Sequence, residues 1–233
     1  MKDLIDKVLK FLPRYFLLFG AIFSAPKAYF KKHKVTSDAA FGAALKFVGT
    51  SLVVVQFLQI QLIAGGDLWT YVAAQGAFWA IYVIIGGGAN VLIWRLVGGK
   101  APPRAIFVIY AYLLSISLVI VAFFQILFLA VVQAFEPHDK YLEIIAGLRV
   151  QTLVWDWQYW EKAKIATQFA GAIFAGGIAL VFVWLIIAWG AYRHVNKADR
   201  RTSAFALTLA IVLTPPILVV LGQIGKVLSG KPG

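Results

Sequence analysis

The sequence predicts an all-helical, polytopic membrane protein with five transmembrane helices, and three observations support this class. Of its 233 residues 61% are hydrophobic and only 14% are charged, with a mean hydropathy of +0.83. Ordinary soluble domains are about 45–50% apolar and about 25% charged. Five apolar stretches each reach the roughly 20 residues that a helix needs to cross the hydrocarbon core. This composition excludes a disordered chain, a typical nucleic-acid-binding domain and a soluble globular enzyme.

The apolar stretches set the predicted organisation of the chain. The expected spans cover residues 40–64, 68–96, 104–135, 165–192 and 203–226. Residues 1–39 then form a basic juxtamembrane segment on the cytoplasmic side, and residues 40–233 form the transmembrane domain. Residues 136–164 make one long outer loop, for which we expect one or two helices lying on the membrane surface.

The N-terminal segment resembles an amphipathic surface helix more than a cleaved signal peptide. Apolar residues recur at helical spacing between Leu4 and Leu12, with lysines elsewhere around the helix. Pro13 is expected to bend or restart this helix. A cleaved signal is disfavoured because Phe23 stands where a small residue should precede the cut and Pro26 would follow it.

The distribution of basic residues predicts the topology. Residues 1–39, 95–104 and 193–202 together hold 15 of the 22 Lys and Arg residues. An excess of these residues marks cytoplasmic loops, so we expect the N-terminus inside and the C-terminus outside. This asymmetry accounts for the net charge of +12 without nucleic acid as a partner. The basic run beside the first span is expected to attract anionic lipid headgroups, or to act as a topology signal only; it consists of Lys27, Lys31, Lys32 and Lys34.

Polar residues inside the spans are expected to form hydrogen bonds between helices, with a substrate path as the alternative. These residues are Gln56, Gln59, Asn90 and Gln125. Lys46 is expected to extend its stem towards the inner headgroups. Pro215 and Pro216 remove backbone donors in mid-span, which predicts a break in the fifth helix. Such breaks sometimes mark transport sites.

Small residues and aromatic residues supply two candidate docking surfaces. Gly86, Gly87 and Gly88 predict close helix packing. Small residues of the fourth span predict the same, either inside the bundle or against a partner; they are Gly171, Ala172, Ala175, Gly176 and Gly177, with small-xxx-small pairs at 171/175 and 172/176. The outer loop adds Trp155, Trp157 and Trp160, which suit either headgroup depth or a protein interface.

The sequence contains no pattern that indicates a catalytic site. There is no cysteine, and the predicted topology separates His138 from His33 and His194. No nucleophile elbow, zinc-protease motif or dinucleotide fingerprint is present. We therefore expect no enzymatic activity, no cofactor and no metal.

A further pattern runs from the juxtamembrane segment into the third span; it consists of Pro26, the turn Gly98, Gly99 and Lys100, and then Tyr110 and Tyr112. With these residues, the region from the second span through the third resembles the Yip1-domain family of membrane proteins in its bacterial form. The resemblance implies an integral protein of the bacterial cytoplasmic membrane without catalytic residues. The Asp-Leu-Tyr-Gly-Pro signature of the eukaryotic members is absent, so their role with small GTPases is not carried over.

Two functions are consistent with these features. The first is a non-enzymatic scaffold or accessory subunit that binds membrane lipids, other membrane proteins or a second copy of itself. The alternative is a transporter or channel for a small solute or a lipid, suggested by the proline pair and the intramembrane amides.

Overall fold

The computed structural model describes residues 2–60, 68–150 and 163–228, and every regular element in these ranges is an α-helix. The predicted fold class, an all-helical polytopic membrane protein, is confirmed. The helices are α1 (Lys2–Ser24), α2 (Pro26–Lys32), α3 (Asp38–Leu58), α4 (Leu68–Leu96), α5 (Pro103–Phe135), α6 (His138–Val150), α7 (Ile165–Ala188), α8 (Gly190–Val195) and α9 (Arg200–Leu228).

Within the described ranges, four segments are long and apolar enough to cross a membrane, so the chain is an integral membrane protein. They are Asp38–Leu58, Gln75–Leu96, Pro103–Phe135 and Ile165–Val195. The fifth predicted span falls on α9. The first predicted span begins where expected because Ser37 caps α3, its Oγ accepting the Ala40 N–H at 3.2 Å. The end predicted for that span, at residue 64, lies outside the described residues.

Helix α5 is the centre of the bundle. It packs against α3, α4 and α7, while α9 packs against α4. Ile106, Ile109 and Ile116 of α5 are completely buried. Its span has a mean hydropathy of 2.7, the highest of the four. A helix that is apolar all round is suited to this central position.

Glycines let the neighbouring helices approach α5 closely. A Cβ at Gly86 would collide with the Tyr110 ring, and one at Gly87 would lie 2.6 Å from Phe107. The expectation of close packing is therefore confirmed for both. Gly88 faces outward, with no atom within 4 Å of a Cβ position.

Helix α1 differs from expectation at Pro13, since the helix continues through this residue without a restart. The second half of α1 packs onto two spans. Tyr15 is fully buried and its hydroxyl shares a 2.9 Å hydrogen bond with Ser51 of α3. Phe23 stacks on Trp184 of α7, and the Trp184 Nε1–H donates to the Phe23 carbonyl at 2.8 Å. That half of α1 therefore belongs to the core, and its position on a membrane surface stays a prediction.

A break that unwinds the helix at Pro215 and Pro216 is contradicted, because α9 is helical on both sides of the pair and through it. A kink of the helix axis at this pair stays a prediction. Two prolines remove two backbone donors, but they leave φ within the helical range. Thr214 adds a local bond, since its Oγ1 donates to the Ala210 carbonyl at 2.7 Å.

The outer loop begins with α6, as expected for a helix in this loop. Tyr141, Ile144 and Ile145 of α6 are buried against Phe128 and Leu129 of α5. The candidate docking residues Trp155, Trp157 and Trp160 lie outside the described residues.

Candidate functional site

The bundle has two distinct ends, which we call the basic end and the far end and define by the helices that begin and finish there. At the basic end, α4 and α8 finish while α3, α5 and α9 begin. Three contacts join these helix ends: an ion pair between Asp38 and Arg104, a hydrogen bond from Ala101 to Asn196, and one from the Trp189 indole to the Ser203 carbonyl. At the far end, α3 and α5 finish and α7 begins.

The turn between α4 and α5 explains the Gly98-Gly99 pair. Gly98 has a φ of 80°, a conformation that costs a residue with a side chain about 1–2 kcal/mol. A Cβ at Gly99 would lie 2.5 Å from Asn196 Oδ1 and 2.6 Å from the Trp94 carbonyl oxygen. Neither glycine can be replaced freely, and Lys100 beside them is exposed.

Asn196 locks this turn to the loop after α8. Its Oδ1 accepts the Ala101 N–H at 3.1 Å and its Nδ2 donates to the Tyr192 carbonyl at 2.9 Å. The side chain is 2% exposed, so both bonds are made away from solvent. Asn196 could not be identified from the sequence, because a single Asn in a polar loop carries no signal that indicates its partner.

The other residues that carry the family resemblance lie at packed positions in the bundle. Pro26 is the buried first residue of α2, where a missing N–H costs nothing. Tyr112 packs its ring against Phe30 and Phe47, at centroid distances of 5.9 and 5.0 Å. Tyr110 fills the space above Gly86.

Two of the four intramembrane amides form the expected bond between helices. The Gln59 Nε2–H donates to Gln125 Oε1 at 2.7 Å, joining α3 to α5. Asn90 instead donates to the Gly86 carbonyl of its own helix at 3.2 Å. Both polar atoms of the Gln56 amide are buried without a hydrogen-bond partner among the described residues.

An apolar cavity of about 520 Å³ lies between α4, α5, α7 and α9. Tyr82, Asn90 and Tyr110 contribute polar atoms to its lining, and Pro215 lies at its edge. The Asn90 Oδ1 is buried and has no partner in the described part of the chain. The structure thus brings Asn90 and Pro215 to one cavity, while Gln59 and Gln125 lie elsewhere.

The small residues of α7 divide between two faces. Gly177 faces α5, where a Cβ would collide with the Phe124 ring. Gly176 faces outward, with no atom within 4 Å of a Cβ position. Ala175 is also exposed and Gly171 is half-buried. The outward face continues at both ends, and we call the four residues Ala172, Ala175, Gly176 and Ala179, all exposed, the α7 ridge.

Ala179 was missed in the sequence, although helical spacing would have found it. Positions i, i+3, i+4 and i+7 share one face of a helix, which here gives 172, 175, 176 and 179. Large apolar residues border the ridge, with Phe169 68% and Leu180 53% exposed. The α7 ridge is therefore a strip of small side chains on the lateral surface of a span, with larger apolar side chains at its two ends.

A second cleft, of about 620 Å³, opens at the basic end between α2 and α8. All four basic residues of the run beside the first span line it, together with Arg193, His194 and Lys197 from the opposite side. No acidic residue is among the described residues that line it. The described residues contain no group of three His, Asp or Glu side chains able to hold a metal ion.

These features define an integral α-helical membrane protein with two surface candidates and one internal cavity. No family model matches the chain, and the comparisons with curated proteins and with solved structures each found no match.

Proposed function

We propose that this protein is a non-enzymatic membrane scaffold or accessory subunit that works by binding a transmembrane helix of another protein or of a second copy. The observation that carries the proposal is the outward orientation of the α7 ridge. Ala175 and Gly176 of this ridge leave open space on the lateral surface of the span, with larger apolar side chains nearby.

The physical basis is the weakness of hydrophobic association within lipid. Helices in a bilayer associate through close van der Waals packing and hydrogen bonds, and small residues permit the required backbone approach. The bundle already uses this device internally, where Gly177 receives the Phe124 ring. The ridge offers the same geometry to an external helix.

The test replaces Gly176 with Leu, which fills the open space over the α7 ridge without disturbing the interior of the bundle. Gly49→Leu is the matched control, because Gly49 of α3 is also exposed with no atom within 4 Å of a Cβ position. Association is measured by co-purification in a mild detergent and by cross-linking of differently tagged copies in the membrane. We expect Gly176→Leu to lose the partner or the self-association, and Gly49→Leu to keep it. Equal association in both variants would contradict the proposal.

Membership of the bacterial Yip1-domain family, and a location in the cytoplasmic membrane with the N-terminus inside, belong to the same proposal. The interlocked Gly98-Gly99 turn supports the first, and the concentration of cations at the basic end supports the second. The chain has no cysteine, so single cysteines can be introduced for labelling with an impermeant reagent. We expect labelling from outside intact cells at position 139 and not at position 197. The opposite pattern would overturn the orientation.

The cavity between α4, α5, α7 and α9 favours a second candidate function, a transporter or channel. Its volume suits a small ligand. The test is flux of fluorescent lipid analogues and small solutes in liposomes that contain the purified protein. Ala210→Phe, at a position lining the cavity, should block a flux that passes through it. Flux in the wild type that this variant abolishes would favour the transporter over the scaffold.

A further inference from the structure

We propose that the cleft at the basic end is a binding site for the phosphate-bearing headgroup of an anionic lipid. This proposal goes beyond the proposed function and does not depend on the α7 ridge. The proposed site is formed by two segments that are distant in sequence. It differs from a general electrostatic attraction between one run of lysines and the membrane surface.

The cleft is formed because α2 packs against α8, although some 160 residues separate them in sequence. Lys31 and Lys34 come from the first segment, and Arg193 and Lys197 from the second. Lys27 lies across the junction, with its Cδ 3.5 Å from the position of a Cβ on Gly190. The fold therefore places cations on both sides of one opening.

The floor of the cleft is apolar and closed. Phe30, Val35 and Ala105 line it and are 2%, 6% and 1% exposed. Charges around a concave surface with a low-dielectric wall reinforce one another's field more than charges on an open surface do. A cluster of this kind raises the local concentration of anions.

Asp38 and Asp199, the acids whose side chains are described at this end, are engaged away from the cleft. Asp38 pairs with Arg104. Asp199 accepts the Thr202 N–H at 2.7 Å at the start of α9, and this bond lowers the pKa of its carboxyl below the ordinary value of 3.8. Neither acid lines the cleft. Within the described residues, none of the lysines or the arginine that line the cleft makes an ion pair.

Lys197 provides a second, independent observation. It has a φ of 51° and is the one non-glycine residue in the described part of the chain with a positive φ. Glycine adopts this conformation freely, whereas a residue with a Cβ does not. Lys197 therefore places a positively charged side chain at a position where glycine would be the usual residue, and this side chain lines the cleft.

The position of the cleft, level with the ends of the candidate spans, favours a lipid over a soluble anion. It lies where the candidate spans Asp38–Leu58 and Pro103–Phe135 begin and where Ile165–Val195 ends. Helix ends of this kind coincide with the headgroup layer. The Lys and Arg side chains supply only donors, which phosphate oxygens accept in charge-assisted hydrogen bonds.

The experiment measures the thermal stability of the full-length, delipidated protein in a neutral detergent. Dioctanoyl phosphatidic acid is the probe, and dioctanoyl phosphatidylcholine and inorganic phosphate are the comparison ligands. The test variant is Lys31→Gln with Lys197→Gln, which removes one cation from each side. The control variant is Lys100→Gln with Arg201→Gln, which removes the same charge from exposed residues outside the cleft.

We expect phosphatidic acid to raise the Tm and the cleft variant to weaken its apparent affinity about thirtyfold, since each basic residue near a membrane surface contributes about fivefold. The control should change the affinity by less than about threefold. Equal losses in both variants would mean diffuse attraction and overturn the proposal. Saturation by inorganic phosphate at the same concentration would identify a soluble anion as the ligand and overturn it as well.

Lys197→Gly keeps the test independent of folding defects. This variant removes a cation and also relieves the positive φ. We expect the Tm of the lipid-free protein to rise while the Tm increase caused by phosphatidic acid shrinks. An undiminished response to phosphatidic acid in both Lys197→Gly and the double cleft variant would contradict the site.

Discussion

The two ends of the bundle are held together by different chemistry. At the basic end a neutral amide, Asn196, is buried and bonds one backbone group in the turn after α4 and one in α8, and Gly99 makes room for it. At the far end an ionisable and half-buried side chain has this role. Glu136 Oε1 accepts the Lys164 N–H at 3.0 Å and the Thr167 hydroxyl at 2.6 Å, which joins the end of α5 to the start of α7.

This difference shows where the fold tolerates change. A buried amide fixes one geometry, because an unpaired polar group away from water has no substitute partner. A carboxylate at the edge of the bundle has solvent as an alternative. The basic end should therefore be the rigid part of the molecule, which suits a cleft whose cations must stay in place.

The largest expected effect is at Gly99. In Gly99→Ala the new methyl group would lie 2.5 Å from Asn196 Oδ1 and 2.6 Å from the Trp94 carbonyl oxygen. We expect a loss of about 2–3 kcal/mol or failure to fold, as for severe overpacking. The measurement is the Tm in detergent and the yield of monodisperse protein. Gly176→Ala is the control, and a Tm for Gly99→Ala within error of this control would show that the turn is not tightly held.

The next effect concerns Asn196. Asn196→Ala leaves the Ala101 N–H without its buried acceptor, whereas the Tyr192 carbonyl keeps the backbone N–H of residue 196 at 3.0 Å, and we expect a loss of about 1–3 kcal/mol. The comparison is made by thermal unfolding and by hydrogen exchange of residues 98–101. Faster exchange confined to this turn is the expected pattern. Unchanged exchange would mean that Asn196 does not hold the two turns together.

The far end should lose less. Glu136→Ala removes the acceptor at the start of α7, a change comparable to the loss of a helix cap, which costs about 1 kcal/mol. Glu136→Gln keeps one acceptor oxygen and should recover part of this loss. If Glu136→Ala destabilises the protein more than Asn196→Ala does, the proposed difference between the two ends is wrong.

The sequence predicted the helices well and their contacts unevenly. The bounds predicted for the second span, residues 68–96, are those of helix α4, because Gly-rich sequence on either side gives clear signals. The close packing at Gly86 and Gly87 could be predicted as well, since a glycine in an apolar helix has few other uses. The continuity at Pro13 and through Pro215 could not, because local rules penalise proline without knowing what surrounds it.

The candidate sites depended on contacts between distant parts of the chain. Lys31 and Lys34 were identified from their local run, but Arg193 and Lys197 gain their meaning only when α8 packs against α2. The α7 ridge was partly found: three of its four residues were named, whereas the outward direction needed the position of α5.

The smallest expected effect tests the amides on α3. Gln59→Leu breaks the 2.7 Å bond to Gln125 and should cost about 0.6 kcal/mol, the average for such bonds between membrane helices. Gln56→Leu is the matched control one turn earlier, because its amide is buried without a partner among the described residues. Removing that amide should leave the Tm unchanged or raise it. A double-mutant cycle of Gln59→Leu with Gln125→Leu isolates the pair energy. A coupling of zero, or a larger loss from Gln56→Leu than from Gln59→Leu, would show that the bond does not stabilise the junction of α3 and α5.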